Sequence, residues 1–274
     1  MLPNFSDFII ESKKIASGAD VIVHCWRVGM RSESFAKHLA ENGFNRVYVI
    51  EGGYKAFRNY ALKSFTQEAK ICVIGGYTGS GKTHILNCLQ KNNEQIIDLE
   101  GLANHKGSAF GRIGNEKQPT IEQFENNLFW SWKKLDYSKT IWVEDESHRI
   151  GNVSIPMTFY ENIRSKTIVF IEIPQKERIK HLVVEYADCP KISLIESIER
   201  ITKRLGGKNT QIAIQSIKDN NFEETAKLAL TYYDKYYLRG LENRPLQNNI
   251  YTLKLESVNS EQNSKKIKDY YDAI

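Results

Sequence analysis

Short apolar runs alternate with segments of helical periodicity through the first part of the chain. The run at 21–23 precedes a helical pattern over 32–42, in which Phe35 and Leu39 recur at helical spacing. A second run at 47–50 ends at Gly52-Gly53 and leads into another helical pattern over 54–65. Strands that alternate with helices predict a parallel sheet with crossover connections.

A short polar segment at 66–70 separates this region from a second pattern of the same kind. We predict domains at 1–66 and 67–240, followed by a loosely attached tail at 241–274 with a final strand at 250–255. The predicted strands of the second region lie at 71–74, 95–99, 140–144 and 167–173, and its predicted helices lie at 121–134, 176–186, 193–205 and 211–238. The fold class is therefore α/β, with parallel sheets and a helical C-terminal region.

The composition favours a globular protein. The chain has 274 residues, of which 41% are apolar and 26% charged, and no run approaches the roughly 18 apolar residues of a membrane span. The first residues lack the basic-then-apolar order of a secretory signal, so we expect a cytoplasmic location without membrane contact. The four cysteines form no CxxC pair, which argues against zinc and disulfides, and the net charge of +5 only slightly favours a polyanionic partner.

A glycine-rich loop follows the apolar run at 71–74. The segment Gly76-Tyr77-Thr78-Gly79-Ser80-Gly81-Lys82-Thr83 matches the Walker A pattern GxxxxGK[ST] at every fixed position. Glycines let successive backbone N–H groups turn inward toward an anion, and the helix N-terminus and Lys82 add positive charge. The Thr83 hydroxyl is placed to bind Mg²⁺. The pattern predicts a site for a nucleoside triphosphate or a related pyrophosphate, formed by Gly76, Gly79, Ser80, Gly81, Lys82 and Thr83.

Acidic residues follow two other predicted strands. Glu144, Asp145 and Glu146 end the strand at 140–144, and such residues hold Mg²⁺ or polarise an attacking group in phosphate-loop proteins. We expect Glu144 to face the metal, with an acidic surface turn as the alternative. The loop at 98–108 carries further polar residues, and in open α/β sheets ligands lie beyond the carboxyl ends of the strands. Candidate substrate contacts there are Asp98, Glu100, His105 and Lys106, with a solvated loop as the alternative.

A cysteine loop ends the first predicted strand. In the segment at 23–32, Cys25 is followed by five residues and then Arg31-Ser32, which open a helix. Backbone N–H groups, the helix N-terminus and Arg31 would all favour the thiolate, which suits nucleophilic attack on phosphorus, sulfur or selenium. Cysteine phosphatases and rhodanese-type sulfurtransferases share this device, and the Gly-Gly turn and aromatic helix at 51–57 favour the rhodanese type. A purely structural Cys25 is the alternative.

Together these motifs resemble the tRNA 2-selenouridine synthase family, in which a rhodanese-like domain precedes a phosphate-loop domain. The resemblance runs from about residue 21 to about residue 237. It rests on Cys25-Trp26-Arg27, Gly29-Met30-Arg31-Ser32, Glu51-Gly52-Gly53-Tyr54-Lys55, the Walker A segment, Asp98-Leu99-Glu100-Gly101-Leu102-Ala103-Asn104-His105, Val143-Glu144-Asp145-Glu146-Ser147 and Lys203-Arg204-Leu205-Gly206-Gly207.

The resemblance implies an enzyme that replaces the sulfur of 2-thiouridine by selenium at the wobble position of tRNA. Selenophosphate would supply the selenium, and the reaction would pass through an S-geranylated uridine made from geranyl diphosphate. Cys25 would be the cysteine required for selenation, and Lys82 and Thr83 would hold the diphosphate of the geranyl donor, with ATP as the alternative ligand. The basic residues expected to contact tRNA phosphates are Arg149, Arg178, Lys180, Arg200, Lys203, Arg204 and Lys208.

One departure from the family pattern concerns the rhodanese part. A complete domain of this type needs roughly 100 residues, but only 24 precede Cys25. We therefore expect a truncated rhodanese-like domain that is completed by a separate chain, produced by a truncated gene, or vestigial. Competing hypotheses are a phosphate-loop kinase or ATPase with a degenerate rhodanese fragment, a non-catalytic nucleotide-dependent interaction module, and a Cys-x5-Arg phosphatase.

Overall fold

The computed structural model describes residues 5–16, 18–27, 29–111, 113–114, 116–186, 188–245 and 249–274. Val28, which belongs to the cysteine loop, lies outside these ranges. The chain divides into two compact units, Met1–Ser64 and Phe65–Ile274.

The first unit contains a parallel pair of strands, with Val21 opposite Val47 and Val23 opposite Val49. Ile9 of the first helix, Leu39 of the second helix and Phe44 form its buried cluster. The alternation predicted from the sequence is present, preceded by an additional helix. The described elements of this unit are α1 (Phe5–Ala16), β1 (Val21–Val23), α2 (Met30–Glu41), β2 (Val47–Val49) and α3 (Gly53–Ser64).

The second unit is built on a five-stranded sheet with the strand order β4-β5-β3-β8-β9, in which all pairs are parallel. A separate antiparallel hairpin joins β6 to β7. The strands are β3 (Ile71–Gly76), β4 (Gln95–Ile97), β5 (Ile141–Glu144), β6 (Arg149–Ile150), β7 (Val153–Ser154), β8 (Thr167–Glu172) and β9 (Ile250–Lys254). The helices are α4 (Lys82–Lys91), α5 (Leu99–Ala103), α6 (Ile121–Lys133), α7 (Met157–Arg164), α8 (Gln175–Tyr186), α9 (Lys191–Arg200), α10 (Thr202–Leu205), α11 (Gly207–Lys218), α12 (Phe222–Glu242) and α13 (Ser260–Asp272).

The central strand β3 lies between β5 and β8, and every one of its residues is buried. Its continuous apolar sequence is what a parallel strand covered on both faces requires. On one face, Ile85 and Leu89 of α4 pack in the same core cluster as Cys72 and Ile74. The four strands predicted in this region are present as β3, β4, β5 and β8, and together they set the loop after β3 at the carboxyl edge of the sheet.

The predicted helix over 211–238 is wrong, because the chain breaks there into α11 and α12. Asn220 adopts a left-handed backbone with φ of 60°, a conformation that asparagine tolerates better than most residues. The side chain of Asn221 then accepts a hydrogen bond from the Glu224 backbone N–H at 3.2 Å and caps α12. The periodicity continues through the break, which is why the two helices look like one in the sequence.

The C-terminal segment is also different from the expected loosely attached tail at 241–274. Strand β9 forms the parallel edge beside β8, with Ile168 opposite Ile250. Leu255, which follows β9, and Ile267 of α13 are buried in the same cluster as Ile85 and Leu89 of α4. The predicted strand at 250–255 is therefore present, but it and the following helix are integral parts of the second unit. Among the described residues, no helix is both long and apolar enough to cross a membrane.

Candidate phosphate site and cysteine loop

The phosphate loop joins the carboxyl end of β3 to the start of α4. Gly79 and Gly81 have φ of 80° and 72°, in the left-handed region where a side chain would be strained. These two conformations turn the backbone sharply before the helix begins at Lys82. The Lys82 ammonium donates to the Gly76 carbonyl oxygen at 2.9 Å. The residues of the predicted phosphate site therefore lie in one tight turn at the N-terminus of a helix, which favours an anion.

Ser80, inside this turn, is fully buried, and its hydroxyl oxygen has no hydrogen-bond partner among the described residues. A buried polar atom without a partner costs free energy unless something satisfies it. A phosphate oxygen held by the loop would supply that partner. The geometry thus agrees with the prediction that the loop binds a phosphate group.

Three carboxylates meet beside Thr83 at the beginning of α4. The side chains of Glu100, Glu144 and Glu146 bring one oxygen each within 4.8 Å of one another. The Thr83 hydroxyl lies 2.8 Å from Glu100 Oε2 and 3.1 Å from Glu144 Oε2, and Glu144 Oε1 accepts from the Glu100 backbone N–H at 3.1 Å. A hydroxyl has one proton to donate, so the second short oxygen contact requires a proton on a carboxyl group.

The pKa values of these carboxyl groups agree with that requirement. Burial and the neighbouring carboxylates hold the pKa of Glu144 well above its ordinary value and also raise the pKa of Glu100. Burial, together with the nearby Glu100, raises the pKa of Glu146 to about 8. Oxygen ligands of this kind fit Mg²⁺, whose charge would remove the cost of ionising all three. The donor set therefore suits a divalent cation held by these carboxylates and Thr83.

Asp145 does not join this cluster. Successive side chains of an extended segment point to opposite sides, so Glu144 and Glu146 face the phosphate loop while Asp145 faces away. Asp145 Oδ2 accepts from the Tyr237 hydroxyl at 2.7 Å, and Asp145 Oδ1 lies 3.2 Å from the Arg244 guanidinium. The expectation that all three acids lie on the metal side is corrected for this residue.

Tyr237 connects this ion pair to the phosphate loop. Its hydroxyl accepts a hydrogen bond from the Gly76 backbone N–H at 3.0 Å while it donates to Asp145. The Lys82 ammonium lies 5.6 Å from the centre of its ring. Helix α12 thereby holds the first residue of the Walker A segment. No sequence pattern pointed to Tyr237, because the contact joins residues 161 positions apart.

Arg178 of α8 is nearly completely buried and supports the loop from another side. It forms a two-pronged ion pair with Asp234 at 2.9 and 2.8 Å and donates to the Thr78 carbonyl oxygen at 3.0 Å. Such paired geometry fixes both side chains. The expectation that Arg178 contacts tRNA is therefore corrected, because its guanidinium is committed to interior partners.

The other predicted basic contacts have different surroundings. Lys180 pairs with Glu177 at 2.7 Å, and Arg149 donates to the Gly151 carbonyl oxygen at 3.0 Å. Arg204 donates to the Tyr232 hydroxyl at 2.8 Å. Arg200 lies 3.8 Å from Glu196, and Lys203 and Lys208 are exposed. Surface pairs of this kind are weak, so these side chains are free to exchange partners with phosphate groups.

The predicted substrate loop divides into residues of different kinds. Glu100 belongs to the carboxylate cluster, whereas Asp98 caps α5 by accepting from the Gly101 N–H at 2.7 Å. His105 is buried, and a Cβ placed on either Gly111 or Gly151 would lie 2.7 Å from its ring. His105 therefore fills the space between two glycines. The sequence pattern predicted the correct edge of the sheet for these residues. It did not show that Asp98 caps a helix and His105 packs between glycines, whereas Glu100 joins the carboxylate cluster.

The cysteine loop of the first unit is held by the start of α3. The Tyr54 N–H donates to the Cys25 carbonyl oxygen at 2.8 Å, and the Lys55 N–H donates to the Trp26 carbonyl oxygen at 3.1 Å. Gly53 has a φ of 64°, and a Cβ there would collide with the carbonyl oxygens of Cys25 and Arg27. The Gly-Gly turn thus lets α3 approach the loop as closely as it does.

The thiol of Cys25 is stabilised in its ionised form mainly by Ser32. The Ser32 hydroxyl lies 3.4 Å from the thiol sulfur and 3.1 Å from the Gly29 carbonyl oxygen, and its hydrogen bond to the thiol is the main reason that the pKa of Cys25 is lowered. Arg31 is exposed, and it is not among the groups that shift this pKa in the described part of the chain. The expected stabilising role of Arg31 is therefore replaced by Ser32, the next residue along α2.

The fold and these two sites define a rhodanese-like cysteine loop joined to a phosphate-loop domain. The family model described as the tRNA 2-selenouridine synthase AAA domain matches residues 69–269, and the rhodanese-like domain model matches residues 2–60. The chain belongs to the tRNA 2-selenouridine synthase family.

Individual relatives agree with this assignment. The chain is 37% identical over 240 residues to the tRNA 2-selenouridine synthase of Sulfurovum sp. (strain NBC37-1), covering 80% of this chain and 64% of that protein. It is 32% identical over 266 residues to the protein of the same name from Shewanella frigidimarina (strain NCIMB 400), covering 84% of this chain and 71% of that protein. The chain thus spans about two thirds of the length of these curated relatives.

Proposed function

We propose that this chain is a tRNA-modifying transferase that converts 2-thiouridine at the wobble position to 2-selenouridine. The observation that carries the proposal is that a thiolate-stabilising cysteine loop and a phosphate loop occur in one chain of this family. Selenophosphate would be the selenium donor and geranyl diphosphate the alkyl donor, and both are anions. This proposed substrate places the activity in the cytoplasm.

The phosphate loop would perform the first step. The thiouridine sulfur attacks the first carbon of the geranyl group, a carbon–sulfur bond forms, the carbon–oxygen bond to the diphosphate breaks, and the base releases its N3 proton. The N–H groups at the start of α4 and the Lys82 ammonium would stabilise the charge that develops on the departing diphosphate. A cation held by the carboxylate cluster would add positive charge at the same place.

The second step replaces sulfur by selenium at C2 of the uracil ring, the carbon that carries the sulfur. Alkylation makes that sulfur part of a leaving group, so the selenium of selenophosphate bonds to C2 while the carbon–sulfur bond breaks and geranyl thiol departs with a proton. Water then cleaves the phosphorus–selenium bond and releases phosphate. Cys25, with its pKa lowered by Ser32, would act in delivering selenium from selenophosphate. We expect this step to depend on the first unit and the geranyl transfer to depend on the second.

Nucleoside analysis by mass spectrometry tests this division. The purified protein is mixed with 2-thiouridine-containing tRNA, geranyl diphosphate and selenophosphate, and we expect a 2-selenouridine product. Lys82→Ala should abolish both steps, whereas Lys91→Ala, at the other end of the same helix, should not. Geranylation by the Lys82 variant at the wild-type rate would contradict the assignment of the phosphate loop.

The cysteine loop is tested in the same assay. Cys25→Ser should leave geranylated thiouridine as the product, and Cys88→Ser in α4 serves as its control. Loss of both steps in the Cys25 variant would contradict the proposed division of labour.

A phosphate-loop kinase or ATPase is the second candidate, because the Walker A turn and the carboxylates beside Thr83 also suit ATP with Mg²⁺. ATP turnover without tRNA, together with an unchanged nucleoside, would favour that function.

A further inference from the structure

An apolar groove begins at the phosphate loop and runs between α8 and α12. Its enclosed part has a volume of about 70 Å³, and the groove opens to solvent at its mouth. Leu182, Phe222, Ala226 and Leu230 are among the side chains that line it. None of its lining residues in the described part of the chain is charged.

Three of the hydroxyl groups around the groove already have partners within the protein. The Tyr233 hydroxyl accepts from the Ala109 N–H at 3.1 Å, and the Ser108 hydroxyl accepts from the Phe110 N–H at 3.2 Å. The Thr225 hydroxyl lies 3.3 Å from the Ala213 carbonyl oxygen. A nucleoside base would bury hydrogen-bonding edges here without compensation, which is costly. The groove therefore suits a hydrocarbon.

The groove is continuous with the phosphate loop. Thr78 of the loop is part of its lining, and a Cβ on the neighbouring Gly79 would lie 2.9 Å from Leu182. Arg178, one turn before Leu182 on α8, holds the Thr78 carbonyl oxygen at 3.0 Å. A diphosphate in the loop would thus have an apolar channel adjacent to its organic end.

We propose that this groove holds the hydrocarbon chain of a prenyl diphosphate whose phosphates occupy the loop, and that Ala226 limits the chain length. The inference rests on the proposed function, which it deepens by assigning the site of the alkyl group. A small residue at 226 leaves space at the α12 wall that a larger side chain would fill.

Calorimetric binding to the full chain tests this inference with four ligands: pyrophosphate, dimethylallyl diphosphate, geranyl diphosphate and ATP. Each buried CH₂ group strengthens binding by a factor of about four. We expect geranyl diphosphate to bind at least about 100-fold more tightly than pyrophosphate, with the five-carbon ligand between them. Equal affinity for the three diphosphates, or tighter binding of ATP than of geranyl diphosphate, would overturn the inference.

Substitutions in the groove test whether the hydrocarbon chain of the ligand binds there. Ala226→Phe should weaken geranyl diphosphate binding at least about tenfold and leave pyrophosphate binding within about twofold. Thr231→Phe, at an exposed position of the same helix, should change neither. An equal loss for pyrophosphate and geranyl diphosphate in Ala226→Phe would contradict the groove as the chain site.

A second variant covers the case in which Ala226→Phe does not fold. Phe222→Ala enlarges the groove and should raise the affinity for the fifteen-carbon farnesyl diphosphate relative to geranyl diphosphate. An unchanged ratio would count against the inference. Failure of the wild-type chain to bind pyrophosphate at all is a separate result, because it would refute the proposed phosphate loop itself.

Discussion

Replacing Tyr237 by phenylalanine removes one oxygen atom from the back of the phosphate loop. The ring is partly exposed, but its hydroxyl points inward and bridges the Gly76 N–H and the Asp145 carboxylate. Burial and the nearby Asp145 raise the pKa of Tyr237 well above its ordinary value. The hydroxyl therefore keeps its proton at any pH used for an assay, and the effect of the substitution should not depend on pH between about 6 and 9.

The magnitude follows from the two groups that lose a partner. An unsatisfied buried N–H costs about 1–3 kcal/mol, and a hydrogen bond to a charged group contributes about 1.5–3 kcal/mol. Asp145 keeps its ion pair with Arg244, which reduces the second contribution. We therefore expect a loss of about 3 kcal/mol in the free energy of unfolding. For a unit of this size that corresponds to a decrease in Tm of about 6–12 °C.

Thermal unfolding followed by circular dichroism measures this loss, with Tyr236→Phe as the control. Tyr236 is the neighbouring residue of the same helix, its side chain is 55% exposed, and its substitution should change stability by less than about 0.5 kcal/mol. Pyrophosphate binding should also weaken in the Tyr237 variant, because Gly76 begins the loop. Equal Tm values for the two variants would refute the argument that α12 holds the loop through this hydroxyl.

Three further predictions concern the thiol, the carboxylates and the Gly-Gly turn. Ser32→Ala should raise the pKa of the Cys25 thiol, which is measured from the pH dependence of its alkylation by iodoacetamide. An unchanged pH profile of the alkylation rate would show that Ser32 does not lower this pKa. In EDTA, the folded protein keeps a proton on Glu146 up to about pH 8, whereas the unfolded chain releases it near 4.5, so stability should fall as pH rises between these values. Glu146→Gln should flatten that slope in thermal melts, and an identical slope would contradict the shift. Gly53→Ala should lower the Tm of the first unit more than Gly43→Ala does. Both glycines have a positive φ, but only a Cβ at position 53 would collide with backbone atoms. Equal decreases in Tm would show that the chain relieves this collision without cost.

Sequence patterns predicted the carboxyl edge of the sheet as the site, and the structure places the phosphate loop and the carboxylates there. The prediction was possible because a strand, a glycine turn and a helix N-terminus are adjacent in the chain. The separate roles of Asp145 and Glu146 could not be predicted from the sequence. Their alternation follows from extended backbone, but which of the two sides holds the phosphate loop depends on how β5 pairs with β3.

Local backbone preferences within a few residues encode the α/β class, the Walker A turn and the cysteine loop, so all three could be predicted from the sequence. Tertiary structure alone decided that Tyr237 and Arg178 support the phosphate loop, since these contacts join residues 161 and 100 positions apart. It also decided that the last strand completes the sheet. That strand is stabilised by pairing with β8 and by the burial of the adjacent Leu255 against residues of α4, and both β8 and α4 are distant from it in the chain.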